Sequence, residues 1–135
     1  MNSTSRSAGS YLVAIRRFHV VEGRMRGPQY ILAIDQGTTS TRAVIFNETG
    51  QQVAIARRKI GQKYPQPGWV EQDPEEMWSS VTSVVQEVLT NAGTSAASVA
   101  GVGISNQRET TIVWNRETGR PVHNAIVWQD QRTAS

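Results

Sequence analysis

The stretch Tyr30-Ile31-Leu32-Ala33-Ile34-Asp35-Gln36-Gly37-Thr38-Thr39-Ser40-Thr41-Arg42-Ala43-Val44-Ile45-Phe46 decides how this chain is read. Its first five residues are an uninterrupted apolar run, which predicts a strand over 30–34 covered on both faces. A polar turn over 35–40 follows, and Arg-Ala-Val-Ile-Phe over 42–46 predicts a second strand, so the two should form a hairpin. The turn is chemically loaded. Gly37 lets a ligand approach the backbone, and the N–H groups of such a bend form an anion-binding concavity. The hydroxyls of Thr38, Thr39 and Ser40 can donate to phosphoryl oxygens, and Arg42 can neutralise charge. Asp35, at the strand's end, is placed to meet Mg²⁺ directly or through water. This is no Walker loop, because G-x-x-x-x-G-K-[ST] is absent and no helix is predicted to begin here. On pattern alone, a tight hairpin using Thr for its strand propensity fits equally well.

Downstream, Asn47-Glu48-Thr49-Gly50 reads as a second turn and 52–60 as a third strand that ends in a solvated basic trio, Arg57-Arg58-Lys59. A helix is predicted after Asp73. Asp73 is a natural N-cap, Pro74 suits the first helical position, and Glu75 and Glu76 favour the positive end of the helix dipole. Met77, Trp78, Val81, Val84, Val85, Val88 and Leu89 recur at the helical period as one apolar stripe, and Gly93 is placed to stop it. That face should pack on the sheet, Trp78 included. Val-Ala-Gly-Val-Gly-Ile-Ser over 99–105 predicts another buried strand, 110–114 the next, and 125–128 the last.

Length and charge set limits on what such a domain can be. The 135 residues allow one domain, and a 38% apolar, 19% charged composition with mean hydropathy −0.42 suits a folded globular chain. No apolar run reaches the eighteen or so residues of a membrane span. With no cysteine and only His19 and His123, thiol nucleophiles, disulfides and thiolate zinc sites are excluded. Residues 1–29 hold five arginines against Glu22, a net of +4, while residues 30–135 hold nine basic and ten acidic side chains, a net of −1. The folded part therefore lacks the basic excess of a nucleic-acid binder. The Ser- and Arg-rich leader fits a start placed upstream of the true one at Met25, a transit peptide, or a binding tail.

Once assembled, these segments carry a resemblance. Asp-Gln-Gly-Thr-Thr-Ser-Thr-Arg, residues 35–42, between two strands resembles the first phosphate loop of the RNase H-like, actin-like ATPase fold. More narrowly, the chain is similar to the FGGY family of carbohydrate kinases, and within it to the members that phosphorylate glycerol. Tyr-Pro-Gln-Pro-Gly-Trp-Val-Glu-Gln-Asp-Pro (64–74), Ser-Asn-Gln-Arg-Glu-Thr-Thr (105–111) and Ala-Ile-Val-Trp-Gln-Asp-Gln-Arg (125–132) follow in the family's order. Gln-Arg-Glu-Thr-Thr is the specific part, since xylulose-type members tend to carry a different pair at Arg108 and Glu109.

The resemblance implies an α/β fold, an incomplete N-terminal kinase domain over 30–135 with a mixed sheet, a hairpin phosphate loop and one amphipathic helix. It implies transfer of the ATP γ-phosphoryl group to glycerol, with Mg²⁺ at Asp35 and nucleotide phosphates at Thr38, Thr39, Ser40 and Arg42. Glu109 would accept from polyol hydroxyls, Arg108 would donate to them, and Trp128 would lie along the carbon chain. The catalytic aspartate and most adenine contacts belong to downstream segments of the family, so this chain reads as a piece of such an enzyme, inactive alone. Asp130 is rejected as a substitute base. A full-length homo-oligomer, cytoplasmic or mitochondrial if the leader is a transit peptide, is also implied, with no nucleic-acid or membrane partner. The alternatives are another FGGY sugar or polyol kinase, or a non-catalytic actin-like half-domain.

Overall fold

The computed structural model describes Gly27 and residues 29–134. Apart from Gly27 and Gln29, the leader expected over 1–29 lies outside the described residues. The hairpin forms as the sequence predicts, and both strands run two residues further toward the turn. β1 (Tyr30–Gln36) pairs antiparallel with β2 (Ser40–Phe46), which pairs antiparallel with β3 (Gln52–Lys59). The β2–β3 turn is closed by Asn47, whose side-chain oxygen accepts from the N–H groups of Thr49 and Gln51, and by Gly50 at φ +77°, a conformation costly for any residue with a Cβ.

After β3 a short strand β4 (Glu71–Gln72) leads directly into α1 (Pro74–Asn91). Asp73 caps it, its carboxylate accepting from the Glu75 N–H at 3.0 Å, and the chain leaves the helix through Gly93 at φ +60°. A 3-10 turn (Ala96–Ser98) then feeds β5 (Val99–Ser105), which pairs parallel with β1, giving the order β3-β2-β1-β5. The path β1 to β5 is a crossover with α1 packed on one face of the sheet. β6 (Ala125–Ile126) joins β4 in a separate two-stranded ladder.

Alternation along the strands decides which face is buried. Leu32, Ile34, Ala43, Ile45, Ala54 and Ala56 point to the helix and meet Val84 and Val88, with Val81, Val85 and Leu89 partly buried around them. Three alanines on the sheet side bring α1 close, and each fully buried Val contributes about 1.5 to 3 kcal/mol. Thr41, fully buried, joins this layer through its hydroxyl, 2.6 Å from that of Ser80. Because Ser80 donates its one proton to the Met77 carbonyl, Thr41 is the donor of the pair.

Five expectations need correction. Trp78 does not pack on the sheet; it is 66% exposed and lines an open cleft with Ile112, Trp114 and Pro121, while its neighbour Met77 takes the buried side. β1 is not covered on both faces: Ile31, Val44 and Ile55 share the face away from α1, and Ile31 and Ile55 are exposed. β5 is not buried either. Its register sets Val102 beside Leu32 and Ile104 beside Ile34, but α1 lies mainly over β2 and β3 and leaves both uncovered, at 56% and 72% exposure. Finally, residues 110–114 form no strand, only isolated bridges from Thr111 to Ile126 and from Trp114 to Pro121, where proline brings no N–H to extend a ladder. The strand expected over 125–128 shortens to two residues, because the Val127 N–H turns away to the Val70 carbonyl.

Candidate functional site

The turn between β1 and β2 is three residues long and is pinned on both sides. Gly37 N–H donates to the Ser40 carbonyl at 3.0 Å, and the Thr39 carbonyl accepts from Ile60 N–H at 3.1 Å. A Cβ at Gly37 would sit 3.1 Å from the Ser40 carbonyl oxygen, so glycine keeps the bend tight. The residues predicted to hold phosphate do not all present free groups. Arg42 lies across from Asp35 in the ladder, and its guanidinium makes two hydrogen bonds to Asp35 Oδ2. Ser40 is buried and accepts from Arg57 Nε at 3.0 Å. Thr39 is exposed, and Thr38 is half-buried.

For a cation the donor set is thin: among the described residues no group of three or more His, Cys, Asp or Glu side chains converges. Asp35 is a single, partly exposed carboxylate already paired with Arg42. That arrangement fits a Mg²⁺ held mostly by phosphate oxygens and water, with one carboxylate contact.

The second group of predicted residues comes together at the same end of the sheet, because parallel pairing sets Ser105 at the end of β5 beside Asp35 near the end of β1. Asn106, Gln107, Arg108, Glu109 and Trp128 line one crevice of about 310 Å³. Asn106 to Thr110 form the turn after β5. Arg108 sits at φ +27°, unusual for a non-glycine residue, and its N–H donates to the Asn106 side chain. Arg108 and Glu109 are exposed, and neither is in an ion pair among the described residues. Trp128 comes from the turn after β6. Its indole Nε1 donates to the Thr38 hydroxyl at 2.9 Å, so the wall of the crevice touches the β1–β2 turn directly. The two groups of residues therefore share one corner of the molecule.

Sequence reasoning missed the clamp that holds the Trp128 turn. Arg132 donates to Asp130 Oδ1 and Oδ2 and to Glu71 Oε1, each at 2.8 Å, and stacks 3.9 Å over the Trp69 ring. Asp130 also accepts from Val70 N–H, and Glu71 from Asn124. With its oxygens so engaged, Asp130 has a structural task, in keeping with its rejection as a base. Hydrogen bonds from Arg132 hold both carboxyls below the ordinary range against the opposing effect of burial; Asn124 assists at Glu71, and the backbone N–H groups of Arg132 and Val70 at Asp130. The same contacts, that to Asp130 first, raise the guanidinium's pKa.

A carboxyl with a depressed folded pKa contributes stability above its unfolded pKa of about 4 and loses it as pH falls through the folded value. Urea unfolding of the chain should therefore show stability dropping as pH is lowered from about 5 toward 2. In Arg132→Gln that acid dependence should flatten, and an unchanged slope would remove the clamp from the account.

The meander β1–β2–β3, the parallel β5 and the crossover helix place the chain in the RNase H-like, actin-like ATPase class, with the β1–β2 turn and the Arg108–Glu109–Trp128 crevice at one corner. The family model for the FGGY family of carbohydrate kinases, N-terminal domain, matches residues 30–135. The chain belongs to that family. It is 61% identical over 106 residues to a glycerol kinase of Burkholderia cenocepacia (strain HI2424), covering 78% of this chain and 21% of that protein. A glycerol kinase of Chromobacterium violaceum is 59% identical over the same length and shares. Among solved structures, Plasmodium falciparum glycerol kinase with ADP matches at a TM-score of 0.70 and 37% identity, covering 79% of this chain and 22% of that one. Xylulose kinase from Rhodospirillum rubrum also gives 0.70, at 26% identity over 77% and 21%. The chain spans about a fifth of the length of the curated relatives it matches.

Proposed function

We propose that this chain supplies the polyol-holding corner and first phosphate turn of a glycerol kinase, which transfers the γ-phosphoryl group of ATP to a terminal hydroxyl of glycerol to give sn-glycerol 3-phosphate. The observation that carries the reading is the crevice walled by Arg108, Glu109 and Trp128, joined to the phosphate turn through the Trp128–Thr38 hydrogen bond. Glycerol offers three hydroxyls on three carbons and no charge, so its site needs an acceptor, a donor and an apolar wall. Glu109 is the acceptor, Arg108 the donor and the Trp128 ring the wall. Gly37 and the hydroxyls of Thr38 and Thr39 face the transferring phosphate, and Arg42 and Ser40 join them once the contacts to Asp35 and Arg57 yield. Mg²⁺ carried on the nucleotide phosphates, with Asp35 as its protein ligand, would neutralise charge there. Such transfer is mainly a matter of alignment and charge neutralisation, which is what these residues provide. The similarity to glycerol kinases at 59% and 61% identity supports the choice of glycerol. No helix among the described residues is long and apolar enough to cross a membrane, and the cytoplasm is the proposed location.

The test is a chimera in which residues 30–135 replace the matching segment of the Burkholderia cenocepacia enzyme. ATP-dependent glycerol 3-phosphate formation should persist, with glycerol preferred over xylulose and gluconate, while the 135-residue chain alone should give no turnover. A chimera that prefers a sugar substrate would overturn the assignment to glycerol, and robust turnover by the chain alone would overturn the partition of roles.

A further inference from the structure

The Trp128–Thr38 contact is the surface link of a closed ring of hydrogen bonds whose opposite side is buried. Gln72, fully buried, donates from Nε2 to the Thr38 carbonyl at 2.7 Å and to the Gly61 carbonyl at 3.3 Å. Gln107, also buried, donates from Nε2 to Gln72 Oε1 at 2.9 Å and to Gln36 Oε1 at 3.3 Å. Gln107 Oε1 accepts from the Thr110 hydroxyl at 3.0 Å, and that hydroxyl accepts from the Trp128 backbone N–H at 3.3 Å. The Trp128 indole then returns to the Thr38 hydroxyl. The ring thus reads Thr38, Gln72, Gln107, Thr110, Trp128 and back to Thr38, and it ties the phosphate turn to β4, to the turn carrying Arg108 and Glu109, and to the wall of the crevice.

The direction of each bond is set by chemistry. An indole N–H only donates, so Thr38 Oγ1 is the acceptor and keeps its own proton for an outside oxygen. Thr110 spends its single proton on Gln107 and can only accept from Trp128. Both N–H groups of Gln72 and both of Gln107 are used, and no buried side-chain N or O among the described residues lacks a partner. The glutamine links at its centre are buried and fully satisfied, which favours one arrangement there, while the two Trp128 links lie at the surface.

We propose that Gln72 and Gln107 are positioning residues: through this ring they hold the Trp128 indole on the Thr38 hydroxyl, so that the polyol wall and the phosphate turn keep a fixed spacing and Thr38 keeps its proton directed at phosphate. The inference rests on the reading of Trp128 as polyol wall and Thr38 as phosphate ligand. Gln72 is fully buried, and Gln107, although it lines the crevice, has both polar atoms of its side chain committed to the ring.

The experiment follows the Trp128 indole N–H by NMR in the 15N-labelled chain, with Trp128→Phe assigning the resonance. Gln107→Met and Gln72→Met remove the donors at nearly constant volume. Each should shift the Trp128 indole signal and speed its solvent exchange about five- to tenfold, the effect of losing one net hydrogen bond, while α1 amides stay protected. Should either variant lose α1 protection, Thr110→Val, at a half-buried position, breaks the same ring and should give the same indole response. An unmoved Trp128 signal and unchanged exchange in a folded ring variant would overturn the proposal. Titration with inorganic phosphate separates the two readings. In the wild-type chain it should perturb the Trp128 indole through Thr38, and in the ring variants that response should fade. A wild-type chain whose indole responds to the ring variants but not to phosphate would contradict the phosphate role of Thr38 and leave the ring standing.

Discussion

In the chimera, Glu109→Ala is expected to raise the KM for glycerol about ten- to a hundredfold. A hydrogen bond to a charged group contributes about 1.5 to 3 kcal/mol, and removing the carboxylate leaves polyol hydroxyls facing the apolar Trp128 wall without an acceptor. Arg108→Ala should cost a comparable amount. Because both side chains line the same crevice and hold one small ligand, the double variant should lose less than the two single losses combined. Holding the alcohol is needed before and during transfer alike, so KM should move more than kcat. Arg108→Gly serves as a control on the backbone. At φ +27° glycine is the less strained residue, so that variant should fold at least as well as wild type and still lose glycerol affinity. Unchanged glycerol KM in both alanine variants would refute the site.

The other large effect belongs to the core. Ile45→Ala is expected to destabilise the chain by about 2 to 5 kcal/mol in equilibrium urea unfolding. Ile45 has no solvent exposure, lies on a central strand flanked by β1 and β3, and meets Val84 and Val88 across the interface. The facing residues Ala54 and Ala56 are too small to collapse into the space, so the cavity would persist and the cost should fall toward the upper end of that range. Ile55→Ala is the matched comparison, since Ile55 lies one residue along a neighbouring strand on the uncovered face and should cost far less. Equal losses at the two positions would contradict the assignment of the buried face.

The elements written in local chemistry were legible before any coordinates. Asp73, Pro74 and Gly93 fix both ends of α1, and the hairpin follows from two apolar runs around a polar turn, expected over 35–40 and narrowed by the pairing to three residues. What failed was burial. An apolar run such as that of β5 reads the same whether a layer covers it or not, and whether α1 lies over β2 and β3 or over β1 and β5 is a property of the packed sheet, not of the strand. Trp78 misled for the same reason, since the helical period says which side it shares and not where the sheet stops. At the candidate site, Arg108, Glu109 and Trp128 were named through resemblance, and the crevice they share required the fold. The sequence marks Thr38, Thr39 and Ser40 as hydroxyl donors and Arg42 as a neutralising charge without showing which of them are already engaged. Register separates them, sending Arg42 to Asp35 and Ser40 to Arg57. The glutamines at 36, 72 and 107 gave one faint signal, a long polar residue at or just past the end of each of three strands. The partners that make them meaningful lie 71 and 35 positions apart in the chain.

The parallel pairing of β1 with β5 bears on the order in which the molecule assembles. The three-stranded meander is made of neighbours in sequence, whereas Tyr30 must find Val99 across the whole of β2, β3 and α1. Closing so long a segment carries a larger entropic cost and slows the step that depends on it. The meander with its docked helix is therefore expected to form early and β5 to zip on late, bringing the Arg108–Glu109 turn with it. Substitutions in β5 should then accelerate unfolding while leaving refolding almost untouched, which would make the crevice beside Arg108 and Glu109 the last part of this domain to mature.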